Sequence, residues 1–436
     1  MLKLITNATI VTAEKVFGGF IIFDAATGLI KEVGEGTPDE IAADCDVIDA
    51  AGAYVMAGVI DPHVHFRDGG DGSPKGDMLT ESRAAVAGGV TTVFDMPNTT
   101  PPTITVAALR KKIEAAGEKG LCDIRFFFGV TNNNLPELME AYRDYPIAGA
   151  KLFMGSSTGN MLVDDDSTIR ELFRRFPGVI AVHAEDQELI SRNTAEYRAR
   201  YGEDAGVECH PLIRSAEACY RSAAKAVELA QETGAGMHLC HLSTARELEL
   251  FHSGSVSEKR ITCETAPHYL LFSDKDYQRL GARIKCNPAI KSDADRRALI
   301  EALKQGVIDV IATDHAPHLI ADKEGGALKA MSGMPGVQFS LPLMMDMAER
   351  EGISLTQLTR LMSGNAARIF GLSDRGELRA GLRADLVMVQ RLPEPHIISD
   401  AETVSKCGWT PYDGMEVCHK VTATWVAGEK KWETGV

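Results

Sequence analysis

Between residues 57 and 313 the chain alternates apolar runs with amphipathic stretches, and this alternation constrains the fold more than any other feature. The apolar runs lie at 57–65, 90–96, 124–130, 148–154, 179–184, 236–242, 260–266 and 307–313. Helical periodicity fills most of the gaps, for example at 78–87, 106–116, 214–232 and 294–305. A strand that is apolar along its whole length is covered on both faces, so the pattern predicts a parallel sheet flanked by helices. Eight such strands over this span are the count and size of a (β/α)8 TIM barrel. A doubly wound open sheet is the alternative, but no Gly-x-Gly-x-x-Gly follows an early strand.

The two ends read differently. Residues 4–12, 19–23 and 29–33 near one end, and 384–389 and 420–427 near the other, are strand-like with turn residues between them. Two β segments flanking a different pattern predict one discontinuous small β domain from residues 1–55 and 380–436. The barrel would then occupy 56–379.

Charge narrows the function classes. The chain has 46 basic and 61 acidic side chains and a net charge of −15, which argues against nucleic acid or an anionic membrane as partner. An anionic small molecule would need a local cationic pocket against this background. No apolar run approaches the roughly 20 residues of a membrane-spanning helix. The N-terminal stretch has no signal-peptide core, and nine cysteines are scattered without a Cys-x-x-Cys pair. These features lead to the expectation of a reducing, cytoplasmic setting.

The chemistry gathers at predicted strand ends, where barrels of this kind place their active sites. In Asp61-Pro62-His63-Val64-His65-Phe66-Arg67, residues i and i+2 of a strand share a face, so His63 and His65 aim two imidazoles at one point. Arg67 continues that parity and could hold an anion. Lys151 lies inside the apolar run 148–154, where a lysine is costly without a purpose. His183 ends the fifth strand. His238 and His241 are three apart and point to opposite faces of the sixth, so only one is a ligand, and His241 at the strand end is chosen. Asp314 ends the eighth.

This order of His-x-His, lysine, two further histidines and an aspartate resembles the amidohydrolase superfamily, and within it the dihydroorotases of the long, barrel-plus-β-domain kind. The stretches that carry the resemblance are 61–67, 84–100 with Met96-Pro97-Asn98-Thr99, and 313–318. It implies that the end domain is a composite β-sandwich, and it implies two zinc ions bridged by a carboxylated Lys151 and a shared hydroxide. One ion would take His63, His65, Lys151 and Asp314, and the other Lys151, His183 and His241. Between two dications an ammonium is repelled, whereas a neutral amine can add CO2 and become a bridging carboxylate. The implied reaction is reversible hydrolysis of dihydroorotate to N-carbamoyl-aspartate, with Asp314 as general base and then acid. Arg67, Asn98 and His318 would clamp the substrate carboxylate, and Asn287 would hold the ring amide edge. A homodimer or higher homo-oligomer is expected. The rivals are an allantoinase or dihydropyrimidinase, which share the metals but need no carboxylate clamp, and a non-catalytic relative, which would have lost ligands. Pro267-His268-Tyr269 stands where relatives carry two adjacent histidines, so a third metal built from such a pair with Glu264 loses one of its three ligands. The Gly-rich stretch 319–336 reads as a lid over the substrate.

Overall fold

The computed structural model describes residues 1–43, 45–155, 161–163 and 165–434. The N-terminal segment forms β1 (Leu2–Val11), β2 (Val16–Asp24), β3 (Leu29–Glu35), β4 (Asp46–Asp49) and β5 (Tyr54–Ala57). Eight strands follow: β6 (Val59–Val64), β7 (Val90–Asp95), β8 (Asp123–Gly129), β9 (Gly149–Met154), β10 (Val179–Ala184), β11 (Gly236–Leu239), β12 (Ile261–Thr265) and β13 (Val310–Ile311). The C-terminal segment adds β14 (Leu386–Ile397), β15 (Glu416–Val426) and β16 (Glu429–Glu433).

Strands β6 to β13 pair in chain order, and every pair is parallel. The circle closes where Val64 bridges His315 and the His65 N–H donates to the His315 carbonyl at 2.7 Å. Asp61 reinforces the seam, accepting from the Thr313 N–H at 3.1 Å and the Thr313 hydroxyl at 2.6 Å. Every residue of β6, β7 and β9 is buried, as a strand covered on both faces requires. The connecting helices start on the side chains their sequences offer. Asp77 caps Met78–Ala87 in a capping box with Thr80, and Ser292 caps Asp293–Lys304 in one with Asp295.

The terminal segments meet in one eight-stranded sheet. Its path runs β16-β15-β14-β5-β1-β2-β3, with β4 also on β1. The junction is β5 against β14, antiparallel, so the two ends of the chain hold each other.

Three sequence readings need correction here. The apolar run 57–65 is not one strand. Tyr54–Ala57 pairs in the composite sheet, and Val59 opens the barrel. Gly58 makes the break: a Cβ there would lie 2.3 Å from the Thr91 side chain, too close for any other residue. The sixth strand stops at Leu239 and the eighth shrinks to Val310–Ile311, because the backbone turns outward to left-handed φ at His241 (42°) and Asp314 (47°). The helix read over 214–232 begins at Ala216, after a separate turn His210–Ile213.

Inside the barrel, below the strand ends, Ile60, Phe94, Phe127, Ala181 and Val310 form a dry floor. Phe370, from the segment after the barrel, plugs it edge-on against Phe94 at 4.8 Å between ring centroids.

Candidate active site

Above that floor lies a cavity of about 300 Å³. Its lining includes His63, His65, Arg67, Asn98, Lys151, His183, His241, Asn287, Asp314 and His318, every side chain that sequence reasoning singled out. Strand register brings them together. His63 and Lys151 ride on β6 and β9, His183 on β10, and His65, His241 and Asp314 sit just past their strand ends.

His63, His65 and Asp314 offer ligand atoms within 4.8 Å of one another. Asp314 Oδ1 lies 3.3 Å from His63 Nε2 and 3.1 Å from His65 Nε2. Across the cavity, His183 Nδ1 faces His241 Nε2 at 2.8 Å. The outward nitrogens of three rings are held by acceptors, which fixes their tautomers. His63 Nδ1–H donates to Glu264 Oε1 at 2.5 Å, His65 Nδ1–H to Asn98 Oδ1 at 2.6 Å, and His183 Nε2–H to Glu185 Oε2 at 3.0 Å. Each ring therefore turns a lone pair toward the cavity, as metal-binding imidazoles held from behind do.

The electrostatics favour a cation. Burial works against a charge on His63, but Glu264 and Asp314 outweigh it and raise its pKa to about 10. The same two carboxylates would attract a metal in place of that proton. Burial keeps His183 and His241 below the ordinary imidazole range, in the neutral form that ligates. Burial also opposes charge on Asp314, yet His63 and His65 hold it well below the usual carboxylate range.

Lys151 is fully buried. Its Nζ donates to Cys240 Sγ at 2.8 Å, and among the described residues no carboxylate lies within 4.0 Å of it. A buried ammonium without a counter-ion is costly.

The other end of the cavity is cationic. Arg67 is not on the strand, contrary to the parity argument. Its φ is 64°, so the chain has already left β6, but the side chain still reaches the cavity. Its Nε donates to the Pro317 carbonyl at 3.2 Å, and Nη2 lies 3.0 Å from His318 Nε2. Among the described residues Arg67 has no carboxylate partner within 4.0 Å. Asn287 Oδ1 is buried without a hydrogen-bond partner. Residues 328–333 form part of the wall. They are tied down by Lys323, whose Nζ donates to the carbonyls of Lys285, Met331 and Gly333.

Of the two sixth-strand histidines, His241 lines the cavity. His238 lies outside the cavity lining, its Nε2–H on Glu264 Oε2 at 3.1 Å and its Nδ1 on the Thr262 hydroxyl at 2.8 Å. Sequence reasoning missed the supporting acceptors. Glu264 is the main one, serving His63, His238 and the His241 N–H. Glu185, itself gripped by Arg214, is another. Glu264, Cys240 and His63 also form a second group within 4.8 Å, whereas His268 is buried with neither ring nitrogen bonded. Glu264→Gln should weaken binding of a divalent metal about 10- to 100-fold, the usual effect of removing an acceptor behind a ligating histidine. Competition with a chelator measures this, and an unchanged affinity would reduce Glu264 to a packing role.

Comparison with known proteins agrees with this geometry. A model of the amidohydrolase family matches residues 54–430. The chain is similar to a dihydroorotase of Methanosarcina mazei, 35% identical over 381 residues that cover 85% of this chain and 82% of that one. It is also similar to an allantoinase of Bacillus velezensis, 33% identical over 417 residues that cover 94% and 89%. Among solved structures, an L-hydantoinase (dihydropyrimidinase) from Arthrobacter aurescens superposes with a TM-score of 0.93 at 28% identity, covering 100% of this chain and 96% of that chain. The family match starts at the first residue of β5, ends within β16 and takes in every residue of the cavity wall, and the chain belongs to the amidohydrolase family.

Proposed function

We propose that the protein is a metal-dependent cyclic amide hydrolase acting on a ring that bears a carboxylate, with (S)-dihydroorotate and N-carbamoyl-L-aspartate as its reversible pair in pyrimidine synthesis. The observation that carries the reading is Arg67. It is a cation at the cavity with no carboxylate of its own, beside a metal-suited cluster in a chain of net charge −15. An acidic substrate supplies what is missing. The similarity to a dihydroorotase over most of the chain supports the same choice.

The donor set suits zinc: imidazoles, a carboxylate and a lysine able to become one. His63, His65 and Asp314 would hold one ion, His183 and His241 a second, and a carboxylated Lys151 both. Bound there, zinc supplies Lewis acidity toward an amide carbonyl and lowers the pKa of water. The chain's own residues do the rest. Arg67, with the Asn98 amide and His318, clamps the carboxylate and sets the ring's orientation. Asn287 Oδ1, an acceptor without a partner, receives the ring N–H. Asp314 takes a proton from the attacking water and returns it to the departing ring nitrogen. Residues 1–55 and 380–436 act as one supporting domain of the barrel 56–379. The setting is cytoplasmic and the assembly homo-oligomeric in this reading.

The test is turnover of dihydroorotate, hydantoins and allantoin in parallel, by the wild type and by Arg67→Met. Losing a charge-assisted contact in a partly desolvated site costs about 2 to 5 kcal/mol. That is a roughly thirty- to several-thousand-fold loss of kcat/KM on dihydroorotate, with metal content intact. An equal loss on an uncharged cyclic amide would mean that Arg67 supports the metal site. Unchanged dihydroorotate kinetics would make an allantoinase or dihydropyrimidinase the better reading.

A further inference from the structure

His318 sits between two cations. Arg67 Nη2 lies 3.0 Å from its Nε2, and Lys75 Nζ lies 2.8 Å from its Nδ1. The Ser332 carbonyl is 3.1 Å from Nε2. A neutral imidazole has one donor nitrogen and one acceptor, and an ammonium or guanidinium can only donate. Both nitrogens cannot accept at once, so one cation meets a ring N–H.

The surroundings decide which. Within hydrogen-bond distance Nδ1 meets only the Lys75 donor among the described residues, the Asp322 Oδ2 carboxylate oxygen lying 3.8 Å away, whereas Nε2 has a carbonyl acceptor in Ser332. Nδ1 therefore accepts, and Nε2 carries the proton. Burial, with Arg67, Lys75 and Lys323 around it, holds the ring well below the ordinary imidazole pKa, so no second proton joins. In this tautomer the Nε2–H, held by the Ser332 carbonyl, and the Arg67 guanidinium are adjacent donors at the cavity. In the other tautomer Nε2 would accept one of the Arg67 N–H groups, and the His318 ring would offer a ligand no donor from that nitrogen.

We infer that Lys75 is a positioning residue for anion recognition: by donating to His318 Nδ1 it keeps Nε2 protonated, and so leaves Arg67 and His318 as a converging donor pair for a carboxylate. Lys75 touches no reacting atom in this account. It is itself well placed to hold one position. Its Nζ also pairs with Asp322 Oδ2 at 3.0 Å, and its N–H donates to Ser73 Oγ at 3.1 Å. Lys406 Nζ fastens the same turn through the Ser73 carbonyl and Asp77 Oδ2, each at 2.8 Å. Lys75 thus joins the loop after the first barrel strand to the loop after the eighth.

The inference rests on the carboxylate reading for its consequence but not for its geometry, and two measurements separate them. In metal-loaded enzyme with 15N-labelled histidines, His318 is assigned by the loss of its signals in His318→Gln. The wild type should show Nε2 protonated and Nδ1 bare. Lys75→Met should shift the ring toward the Nδ1–H form, and Lys75→Arg should restore the wild-type pattern. In kinetics, Lys75→Met should raise KM for dihydroorotate about tenfold or more, the scale of a lost hydrogen bond to a charged group. Its kcat and metal content should stay close to wild type, and Lys75→Arg should recover KM. A wild-type His318 protonated at Nδ1 overturns the inference outright, and this result stands even if Lys75→Met does not fold. An unchanged tautomer in folded Lys75→Met, or a fall in kcat and metal content at constant KM, overturns it as well. Wild-type enzyme that ignores dihydroorotate while His318 shows the expected tautomer would overturn the substrate reading and leave the role of Lys75 in place.

Discussion

Lys151→Ala is expected to abolish metal binding and turnover together. Wild-type protein should hold two metal ions per chain by elemental analysis, and the variant one or none. The reasoning is structural. Lys151 is fully buried on β9 among His63, His183, His241 and Asp314 in one cavity wall, and its Nζ finds only the Cys240 thiol. As an ammonium it would repel metal ions from the very cluster that the carboxylates of Glu264 and Asp314 make attractive to cations. As a carbamate it adds a carboxylate on a long arm and joins the two histidine pairs. Alanine leaves those pairs with too few ligands, since a zinc ion wants four. A small carboxylate in the buffer should restore part of both metal and rate by occupying the vacated space. Full metal and full rate in Lys151→Ala would make the lysine structural and the two-ion site wrong.

Asp314→Asn should keep the fold and lower kcat by about 10² to 10⁴, the scale of losing a general base. The substitution preserves shape and removes the basic oxygen. Asp314 Oδ1 faces His63 Nε2 and His65 Nε2, and the same carboxylate offers a second oxygen for the proton. Because the residue is also a candidate ligand, metal content must be measured beside the rate. Loss of rate with metal retained assigns the proton transfer to Asp314. Loss of both in parallel makes it a ligand first. Retained turnover would move the proton transfer to another group, with His318 the next to test.

How far these positions could be read in advance depended on the range of the rule used. Strand parity acts over two residues. It set His63 beside His65 and His238 apart from His241, because alternation along a strand needs no knowledge of what the strand packs against. It failed at Arg67, where the backbone turns to φ 64° and alternation ends. The extent of the sixth and eighth strands was overread for the same reason: apolar character continues to residues 242 and 313, but the turns at His241 and Asp314 end the pairing first. The run 57–65 reads as one strand because no local rule shows that Gly58 lies against Thr91.

The sequence alone determined the layout. Eight apolar runs with helical spacers demand a barrel covered on both faces, and a histidine pair, a lysine, two histidines and an aspartate at the run ends follow from counting. Those are consequences of hydrophobic burial and of a period-two backbone, both written locally. The tertiary structure decided which nitrogen each ring presents. His63 meets Glu264 across 201 residues, and His318 meets Lys75 across 243. Such pairs depend on barrel closure, through Val64 against His315, and on loops folding over the strand ends. A hydrogen bond needs its partners within about 3 Å and aligned. No periodicity in the chain encodes that distance between residues so far apart, so only the closed barrel fixes tautomer, charge and the direction in which each donor points.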